Sequence, residues 1–281
     1  MAIHPSPLVL LNNEFLPYGP LLEPGNRGFR YGDGLFETIK VSSGKILLEE
    51  FHFDRLFLGL GLMRMNGPST LPRDRPALAS ALLDLCSRNN CSDLARVRLA
   101  VFRNSRGGAD YLAEASPLSE EADQWNEEGW AIDIYPYARK SADAFANLKT
   151  ANHLPYVMAE LFAREKGLDD ALVLNGDNHI CDSSKANIFL IKGNDILTPA
   201  LHQGCVSGVM RRFLINELKD MGYRVEQQEV SEEDLRHAEE VFLTNAIRGI
   251  RWVRSFRDVS YAASKALGIW RRVQSLIVNR E

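Results

Sequence analysis

The sequence predicts an α+β protein of two lobes. Its first half contains strand-like runs such as GLFETIKV and ARVRLAVFR beside two amphipathic helical segments, and its second half shows the same mixture. Between the two halves, residues 104–128 are polar and acidic, contain glycine, and lack sustained periodicity. A chain of 281 residues is long enough for two cores. We therefore expect a smaller N-terminal lobe, residues 1–122, and a larger C-terminal lobe, residues 123–281, with a connector within 104–128.

Local patterns indicate the elements of each lobe in order. For the N-terminal lobe they predict a strand at PLVLLNN, a hairpin turning at Ser42-Ser43-Gly44, a helix at EEFHFDRLFLGLGLM, a helix at DRPALASALLDLCSRNN and an alternating strand at ARVRLAVFR. For the C-terminal lobe they predict strands at WAIDIYPY, DALVLN, ANIFLIK, YRVEQQEV, EVFLTNA and GIRWV, with helices at NHLPYVMAELFAREKG, SGVMRRFLINELKDMG and the last twenty residues.

Composition excludes several classes of protein. The net charge is −4, whereas general nucleic-acid binders carry a basic surplus, so we expect no nucleic-acid partner. No stretch approaches the ~20 apolar residues of a membrane helix, and the N-terminus lacks the pattern of a secretory signal. The four cysteines show neither CxxC pairs nor metal-ligand spacing with the six histidines. We expect a cytoplasmic protein with free thiols and no metal site.

Three features together indicate a pyridoxal 5′-phosphate site. Lys149 lies just before a predicted helix, and the carboxylate of Asp182 comes directly before a buried strand. Ser207 and Gly208 stand where another helix begins, and free N–H groups at a helix start bind anions. Arg55 adds a side chain that can bind phosphate through two hydrogen bonds. An amine for a Schiff base, an acid for the pyridine nitrogen and a phosphate cradle are what this cofactor requires.

The order of these motifs resembles the class IV aminotransferases, a pyridoxal-phosphate family that includes branched-chain and D-amino-acid aminotransferases and aminodeoxychorismate lyase. The resemblance covers nearly the whole chain. It comprises NRGFRYGDGLFETIKV, HFDRL, LKTANHL, DDALVLN followed by CDSSKANIFLIKGNDILTP, GVMRRFLI and EVFLTNAIRGI. It implies the fold-type IV architecture, with the cofactor between the two lobes, and a homodimer.

The resemblance also implies roles for residues that match the family's motifs. Lys149 is then the Schiff-base lysine and the catalytic proton shuttle, and Arg55 binds the cofactor phosphate. Val209 and Met210 supply phosphate-binding amides at a helix start, with Ser207 nearby.

Asp182 matches the acid that contacts the pyridine nitrogen, but the family usually has glutamate there. Because aspartate is one methylene shorter, either the cofactor lies closer to this strand or a water bridges the gap. Asn187, further along, is interpreted as structural. His153 either contacts the cofactor's phenolic oxygen or packs.

Several cations favour an anionic substrate. Arg30 and Tyr31 lie within a family motif, and family members reach across from a partner subunit with such residues. Arg96 and Arg98 alternate along one strand and so project to one face, and Lys185 adds a charge near Asp182. A branched-chain enzyme gains little from this charge. We therefore expect a transaminase that moves an amino group between a D-amino acid, D-glutamate or D-alanine, and a 2-keto acid.

Other functions remain open. Thr38 stands where aminodeoxychorismate lyases carry a threonine, and LTNAIRGI resembles the lyase form of its motif, so the main alternative is a lyase that releases pyruvate and 4-aminobenzoate. A branched-chain L-amino-acid aminotransferase ranks below it. A non-catalytic protein that binds the cofactor or an anion is a further alternative. For each arginine, the competing interpretation is a surface residue paired with one of the 37 acids.

Overall fold

The computed structural model describes residues 7–279, and this part of the chain divides into two units. The first unit contains residues 7–122 and 148–152, and the second contains residues 123–147 and 153–279. The N-terminal stretch 1–15, in which we expect no secretory signal, lies partly outside the described residues, because the description begins at residue 7. None of the helices within residues 7–279 is long and apolar enough to cross a membrane.

The first unit is built on an antiparallel sheet, six-stranded within the described residues, in the order β2-β1-β6-β5-β3-β4. Its strands are β1 (Leu8–Leu11), β2 (Glu14–Pro17), β3 (Gly34–Ser42), β4 (Lys45–Ile46), β5 (Leu94–Arg103) and β6 (Ala109–Pro117). Its helices are α1 (Arg27–Tyr31), α2 (Glu49–Leu62) and α3 (Arg75–Arg88). The predicted hairpin, both long helices and both predicted strands are confirmed.

Alternation along the strands gives this sheet two different faces. On β5, Val97 and Leu99 are buried, whereas Arg96 and Arg98, which alternate with them, are only half-buried. The apolar face packs in one core with side chains of α2 and α3 such as Phe53. The other face therefore carries the polar side chains that the sequence singled out.

The interpretation that residues 104–128 lack sustained periodicity was wrong for Ala109–Pro117, because these residues form β6. Its residues Tyr111 and Ala113 are buried while Asp110 and Glu114 are half-buried, so the period is that of a strand. Alanine and glutamate are poor strand formers, which hid this period from inspection. Pairing with β5 on one side and β1 on the other overrides that local preference.

The second unit is built on a mixed sheet, nine-stranded within the described residues. Its path runs β12-β11-β10-β13-β14-β7-β8-β9, and β15 pairs with β14. The strands are β7 (Trp130–Lys140), β8 (Asp170–Asn175), β9 (Ile180–Ser183), β10 (Asn187–Lys192), β11 (Asp195–Pro199), β12 (Arg224–Gln228), β13 (Glu240–Asn245), β14 (Gly249–Phe256) and β15 (Val259–Ser260). The helices are α4 (Leu154–Glu165), α5 (Val209–Asp220), α6 (Glu232–His237) and α7 (Ser264–Asn279).

All the strands and helices predicted for the second half are confirmed, and β9, β11, β15 and α6 were missed. The strand β9 contains Asp182 and Ser183, whose polar side chains conceal a fully buried strand. Both residues are buried because neighbouring side chains and main-chain groups bond their oxygens.

The segment 148–152 differs from the expected domain assignment, which placed it in the C-terminal lobe. Thr150 forms an antiparallel bridge with Leu35, and Leu148 is buried in the core of the first unit. The chain therefore returns to the first unit for these five residues.

Candidate functional site

Lys149 is fixed through its backbone to the beginning of β3. The Phe36 N–H donates to the Lys149 carbonyl oxygen at 2.9 Å, and the Ala151 N–H donates to the Gly34 carbonyl at 2.9 Å. The Lys149 side chain is half-buried, with Nζ 4.4 Å from the centroid of the Phe36 ring. The main chain at this lysine is thus held by two hydrogen bonds from a strand, which favours a reproducible position for its amine.

Arg55 lies on α2 and is held by a buried carboxylate. Its Nε donates to Glu37 Oε1 at 2.8 Å and its Nη2 donates to Oε2 at 2.5 Å, a two-bond pairing. The second oxygen of Glu37 also contacts His52 Nδ1 at 2.7 Å. Burial alone would raise the pKa of Glu37, but the charge of Arg55 and the hydrogen bond from His52 outweigh it and bring that pKa to about 2. Glu37 is therefore ionised at neutral pH.

His52 is the third member of this group. Burial lowers its pKa more than Glu37 raises it, with the charges of Arg55 and Lys149 lowering it further. Its Nε2 has no hydrogen-bond partner within residues 7–279. The sequence analysis missed Glu37 and His52. Two signals were available: a charged residue on the inward-facing side of β3, and a histidine three residues before Arg55 on the same helix face.

Arg98 lies close to the same aromatic ring as Lys149. Its guanidinium carbon is 4.3 Å from the Phe36 centroid. Burial lowers the pKa of Arg98, Glu114 partly offsets this, and Arg96 lowers it further. Thr38 stands directly opposite Arg98 in the register of β3 and β5, and is half-buried. The structure thus brings Lys149 and Arg98 together at Phe36, near the beginning of β3, with Thr38 beside Arg98 and Arg96 further along the same face of β5.

Arg30 and Tyr31 lie on the short helix α1, and both are exposed in the single chain. The side chain of Asn26 caps this helix by accepting from the Phe29 N–H at 3.0 Å. Arg27 lies over the Tyr31 ring at 5.1 Å. The structure thus displays both predicted residues on the surface of the first unit.

Asp182, in the second unit, is a buried carboxylate surrounded by donors. The Tyr156 hydroxyl donates to Oδ2 at 2.7 Å and the Val206 N–H donates to the same oxygen at 2.9 Å. Asn187 Nδ2 donates to Oδ1 at 2.7 Å. Lys140 Nζ is 3.4 Å from Oδ2 and donates more closely, at 2.9 Å, to the Ala146 carbonyl. The acid is therefore fixed by neighbours that the sequence analysis did not single out, apart from Asn187.

The beginning of α5 is joined to this acid. Asn187 Nδ2 also donates to the Val206 carbonyl at 2.9 Å, so one amide links Asp182 to the loop before the helix. Gly208 is the N-cap residue and provides no side chain to cap the first turn, where Val209 and Met210 are buried. The Ser207 N–H donates to the Asn147 carbonyl at 3.0 Å. The interpretation of Asn187 as a structural residue that bonds loop backbone agrees with these contacts.

Two other predicted residues lie close to Asp182 in sequence or in space. His153 precedes α4, and its ring centroid is 4.5 Å from that of Tyr156. Lys185 is directed to Glu160, with Nζ 3.5 Å from Oε1, and both side chains are partly exposed. The cation in contact with Asp182 is Lys140, not Lys185. The reason is geometric: Lys185 is in the turn between β9 and β10, where its side chain projects towards α4.

Within residues 7–279 no cluster of histidine, cysteine and acidic side chains is arranged to hold a metal ion. The four cysteines are buried, unpaired thiols. Burial raises the pKa of Cys86, Cys181 and Cys205 to about 12, so these three thiols stay protonated.

Comparison with known proteins identifies the family. The family model described as amino-transferase class IV matches residues 34–256. This chain belongs to the class IV aminotransferases. The class IV enzymes are pyridoxal-phosphate-dependent, so the predicted cofactor and enzyme class are confirmed at the level of the family.

Individual relatives of this class IV enzyme have different specificities. Aminodeoxychorismate lyase from Vibrio harveyi is 28% identical over 236 residues, covering 80% of this chain and 84% of the relative. D-Alanine aminotransferase from Listeria monocytogenes serotype 1/2a (strain 10403S) is 24% identical over 270 residues, covering 92% and 90%. The solved branched-chain aminotransferase from the thermophilic archaeon Thermoproteus uzoniensis, with norvaline, has a TM-score of 0.86 at 19% identity, covering 98% of this chain and 95% of that one. This likeness confirms the predicted α+β, fold-type IV class.

The residues present fit the family's cofactor. A buried carboxylate with acceptor capacity, a helix start without a capping side chain and a buried arginine are the groups that a pyridine ring with a phosphate requires. A Cβ atom at Gly208 would lie 1.8 Å from Asn187 Oδ1, so the loop at the beginning of α5 accepts only glycine without rearrangement. Each unit therefore contains groups whose chemistry fits the cofactor: Arg55 in the first unit, and Asp182 and the beginning of α5 in the second.

Proposed function

We propose that this class IV enzyme is a transaminase that moves an amino group between a D-amino acid, D-glutamate or D-alanine, and a 2-keto acid. The observation that carries the proposal is the pair of cations at Phe36, with Lys149 Nζ 4.4 Å and the Arg98 guanidinium 4.3 Å from the ring centroid. Two like charges beside one ring create a positive potential that an anion relieves. The α-carboxylate of an amino acid is an anion that would place its α-carbon near a reactive lysine.

The cofactor-binding roles are part of the same proposal. Lys149 would bind the cofactor covalently, and Arg55 with the amides of Val209 and Met210 would bind its phosphate. Ser207 lies next to the N-cap glycine of that helix and would support the same group. Asp182 would face the pyridine nitrogen. When bound, the cofactor supplies a ring that accepts the electrons released at the substrate α-carbon.

Lys149 would perform the proton transfers. Its Nζ would take the proton from the substrate α-carbon and hold it for the transfer that follows, while the bound cofactor would supply the acceptor for the electrons left behind. The backbone hydrogen bonds to Phe36 and Gly34 would hold the main chain while the side chain moves. His153, adjacent to the Tyr156 ring, would line the ring pocket of the second unit.

A second candidate is an aminodeoxychorismate lyase that releases pyruvate and 4-aminobenzoate. Thr38 supports it, because its side chain shares a strand face with Phe36 and stands opposite Arg98. The similarity to the Vibrio harveyi lyase adds support. Since that substrate is also anionic, Arg98 fits both candidates.

A half-reaction separates them. The yellow holoenzyme is mixed with single amino acids, and the visible band of the cofactor is followed as the aldehyde form becomes the amine form. We expect bleaching by D-glutamate or D-alanine and none by the L-enantiomers. Bleaching by L-leucine or L-valine would instead indicate a branched-chain enzyme. No bleaching by any amino acid, with pyruvate released from aminodeoxychorismate, would replace the proposal with the lyase.

The variant Arg98→Gln tests the carboxylate contact. Loss of a charge-assisted hydrogen bond to a substrate should raise KM for D-glutamate about tenfold or more, with a smaller effect on kcat. Arg88→Gln is a matched control, since Arg88 also stacks on a phenylalanine, Phe15, at 4.2 Å but is half exposed on α3. Equal KM values for wild type and Arg98→Gln would mean that Arg98 does not bind the substrate carboxylate and has only a structural role.

We further propose that the enzyme is a homodimer in the cytoplasm. Exposed Phe29 and Tyr31 on α1 support a partner surface there, with Arg30 beside them and available to a partner's substrate. Four unpaired thiols agree with a reducing compartment.

A further inference from the structure

The two oxygens of Asp182 are occupied unequally. Within the described residues, Oδ2 meets three donors, the Tyr156 hydroxyl, the Val206 N–H and Lys140 Nζ. Oδ1 meets one donor, Asn187 Nδ2. An ionised carboxylate has about four acceptor sites, two on each oxygen. The remaining capacity therefore lies on Oδ1, and this is the oxygen that can accept from a ring N–H.

Tyr156 makes the shorter side-chain bond to the crowded oxygen, at 2.7 Å compared with 3.4 Å from Lys140. Lys140 is bound more closely to the Ala146 carbonyl, so its hold on the acid is the weaker one. Burial raises the pKa of Tyr156 well above its ordinary value, and the neighbouring Asp182 raises it further. The hydroxyl thus keeps its proton and acts as a donor to the acid.

The ring of Tyr156 is itself held in place. It is buried on α4 in a cluster with Ala159, Ala163 and Tyr135, and the His153 ring packs 4.5 Å from it. A hydroxyl on a buried ring has little freedom to follow a moving acid. Asp182 has fewer rotatable bonds than glutamate, so a fixed donor on one oxygen determines where the other oxygen points.

We propose that Tyr156 is a positioning residue: by binding Oδ2 of Asp182, it directs Oδ1 towards the pyridine nitrogen of the cofactor. This rests on the proposed role of Asp182. It offers a reason why an aspartate can serve where the family usually has the longer glutamate. Loss of the Tyr156 hydroxyl should therefore weaken the part of the cofactor affinity that depends on the ring nitrogen, and should leave the rest of the affinity unchanged.

The test compares two ligands that differ at one atom: pyridoxal 5′-phosphate and its carbocyclic analogue, in which CH replaces the ring nitrogen. Dissociation constants of both are measured on the apoprotein by fluorescence titration, for wild type and Tyr156→Phe. Wild type should bind the natural cofactor more tightly than the analogue. Tyr156→Phe should weaken binding of the natural cofactor about tenfold and leave analogue binding nearly unchanged, because one hydrogen bond to a charged group is lost.

Tyr135→Phe is the matched control, since Tyr135 is a similarly buried tyrosine of the same cluster whose ring contacts are with Tyr137 and Phe162. It should bind both ligands as wild type does. Thermal unfolding of each apoprotein checks the fold. If Tyr156→Phe is unfolded, Tyr156→His replaces it, because the imidazole is too short to reach Asp182 from the same backbone position.

Three results would be decisive. If wild type binds both ligands equally, Asp182 does not face the ring nitrogen, and the proposed site assignment fails. If wild type discriminates and Tyr156→Phe discriminates equally well, Asp182 keeps its role and the proposal for Tyr156 is overturned. Equal weakening of both ligands by Tyr156→Phe would also overturn it, since the tyrosine would then be supporting the pocket in general.

Discussion

At the scale of single residues, Glu37 determines how the charge of Arg55 is held. A buried arginine is stable only when its charge is paired and its N–H groups are bonded. Glu37 does both, and its second oxygen also contacts His52. Because this carboxylate is within the core-facing side of β3, it fixes a cation inside the first unit before any ligand binds.

Glu37→Gln should therefore destabilise the protein by about 3 kcal/mol at neutral pH, because Arg55 is left as a buried charge without its counterion. The pKa of Glu37 in the folded state, about 2, is below its ordinary value of 4.5. Its stabilising effect is complete above about pH 4.5 and is lost as the pH falls towards about 2. Urea unfolding of wild type and variant should show a difference in free energy that is constant near neutrality and shrinks in that acid range.

Asp54→Asn is the comparison for Glu37→Gln. It removes a carboxylate from the same helix as Arg55, but from an ion pair with Arg75 in which both side chains are more than a third exposed. The expected loss is below about 1 kcal/mol. A loss for Glu37→Gln no larger than this would mean that the buried pair contributes nothing beyond an exposed one.

At the scale of elements, the spacing of apolar residues predicted strands and helices correctly wherever apolar side chains occupy the buried positions. The strands β3, β5, β8 and β10, and the helices α2 to α5, follow directly from spacing. The strand β6 was missed because its inward positions are mostly alanine, and β9 because bonded polar side chains fill a buried strand.

The same limit applies to the candidate site. Lys149, Arg55 and Asp182 belong to motifs that the sequence displays. Glu37, His52, Tyr156 and Lys140 act on them across the fold, through contacts that depend on which strand and helix faces meet. Such contacts join residues 15 to 42 positions apart, and no spacing rule in a single sequence relates them.

The beginning of α5 gives a prediction at this scale. Gly208 has an ordinary φ of −64°, so alanine is not strained there by its backbone. Its Cβ, however, would lie 1.8 Å from Asn187 Oδ1, and Asn187 would have to leave Asp182 and the Val206 carbonyl. Gly208→Ala should weaken binding of pyridoxal 5′-phosphate about tenfold or more and cost about 1–3 kcal/mol of stability, measured by fluorescence titration and urea unfolding.

Gly268→Ala provides the control, because Gly268 lies within α7 with open space where its Cβ would be. Alanine in a helix interior should stabilise the protein by up to about 1 kcal/mol and leave cofactor affinity unchanged. If Gly208→Ala binds pyridoxal 5′-phosphate as tightly as wild type, the hydrogen bonds from Asn187 to Asp182 and to the Val206 carbonyl do not contribute to cofactor binding.

At the scale of the whole molecule, the chain enters each unit twice. It leaves the first unit after residue 122, returns for residues 148–152, and then completes the second. The returning segment carries Lys149, the proposed Schiff-base lysine, and its neighbours Leu148 and Thr150 bind the segment to the core and to β3. The proposed cofactor residues are therefore divided between units, with Lys149 and Arg55 in one and Asp182 and α5 in the other.

Cofactor binding should consequently stabilise the protein only when both sets of residues are intact. At about 100 times its dissociation constant a ligand adds about 2.7 kcal/mol, which for a chain of this size is a rise in Tm of roughly 5 °C. Wild type should show this shift with pyridoxal 5′-phosphate in differential scanning calorimetry. At the same cofactor concentration Arg55→Lys and Asp182→Asn, one variant in each unit, should each lose most of it. Because each shift is measured against the apoprotein of the same variant, any change in intrinsic stability cancels.

Arg75→Lys, on an exposed ion pair of the first unit, should keep the full shift. A full shift in Asp182→Asn together with its loss in Arg55→Lys would mean that the first unit alone holds the cofactor, and Asp182 would then have only a structural role in the second.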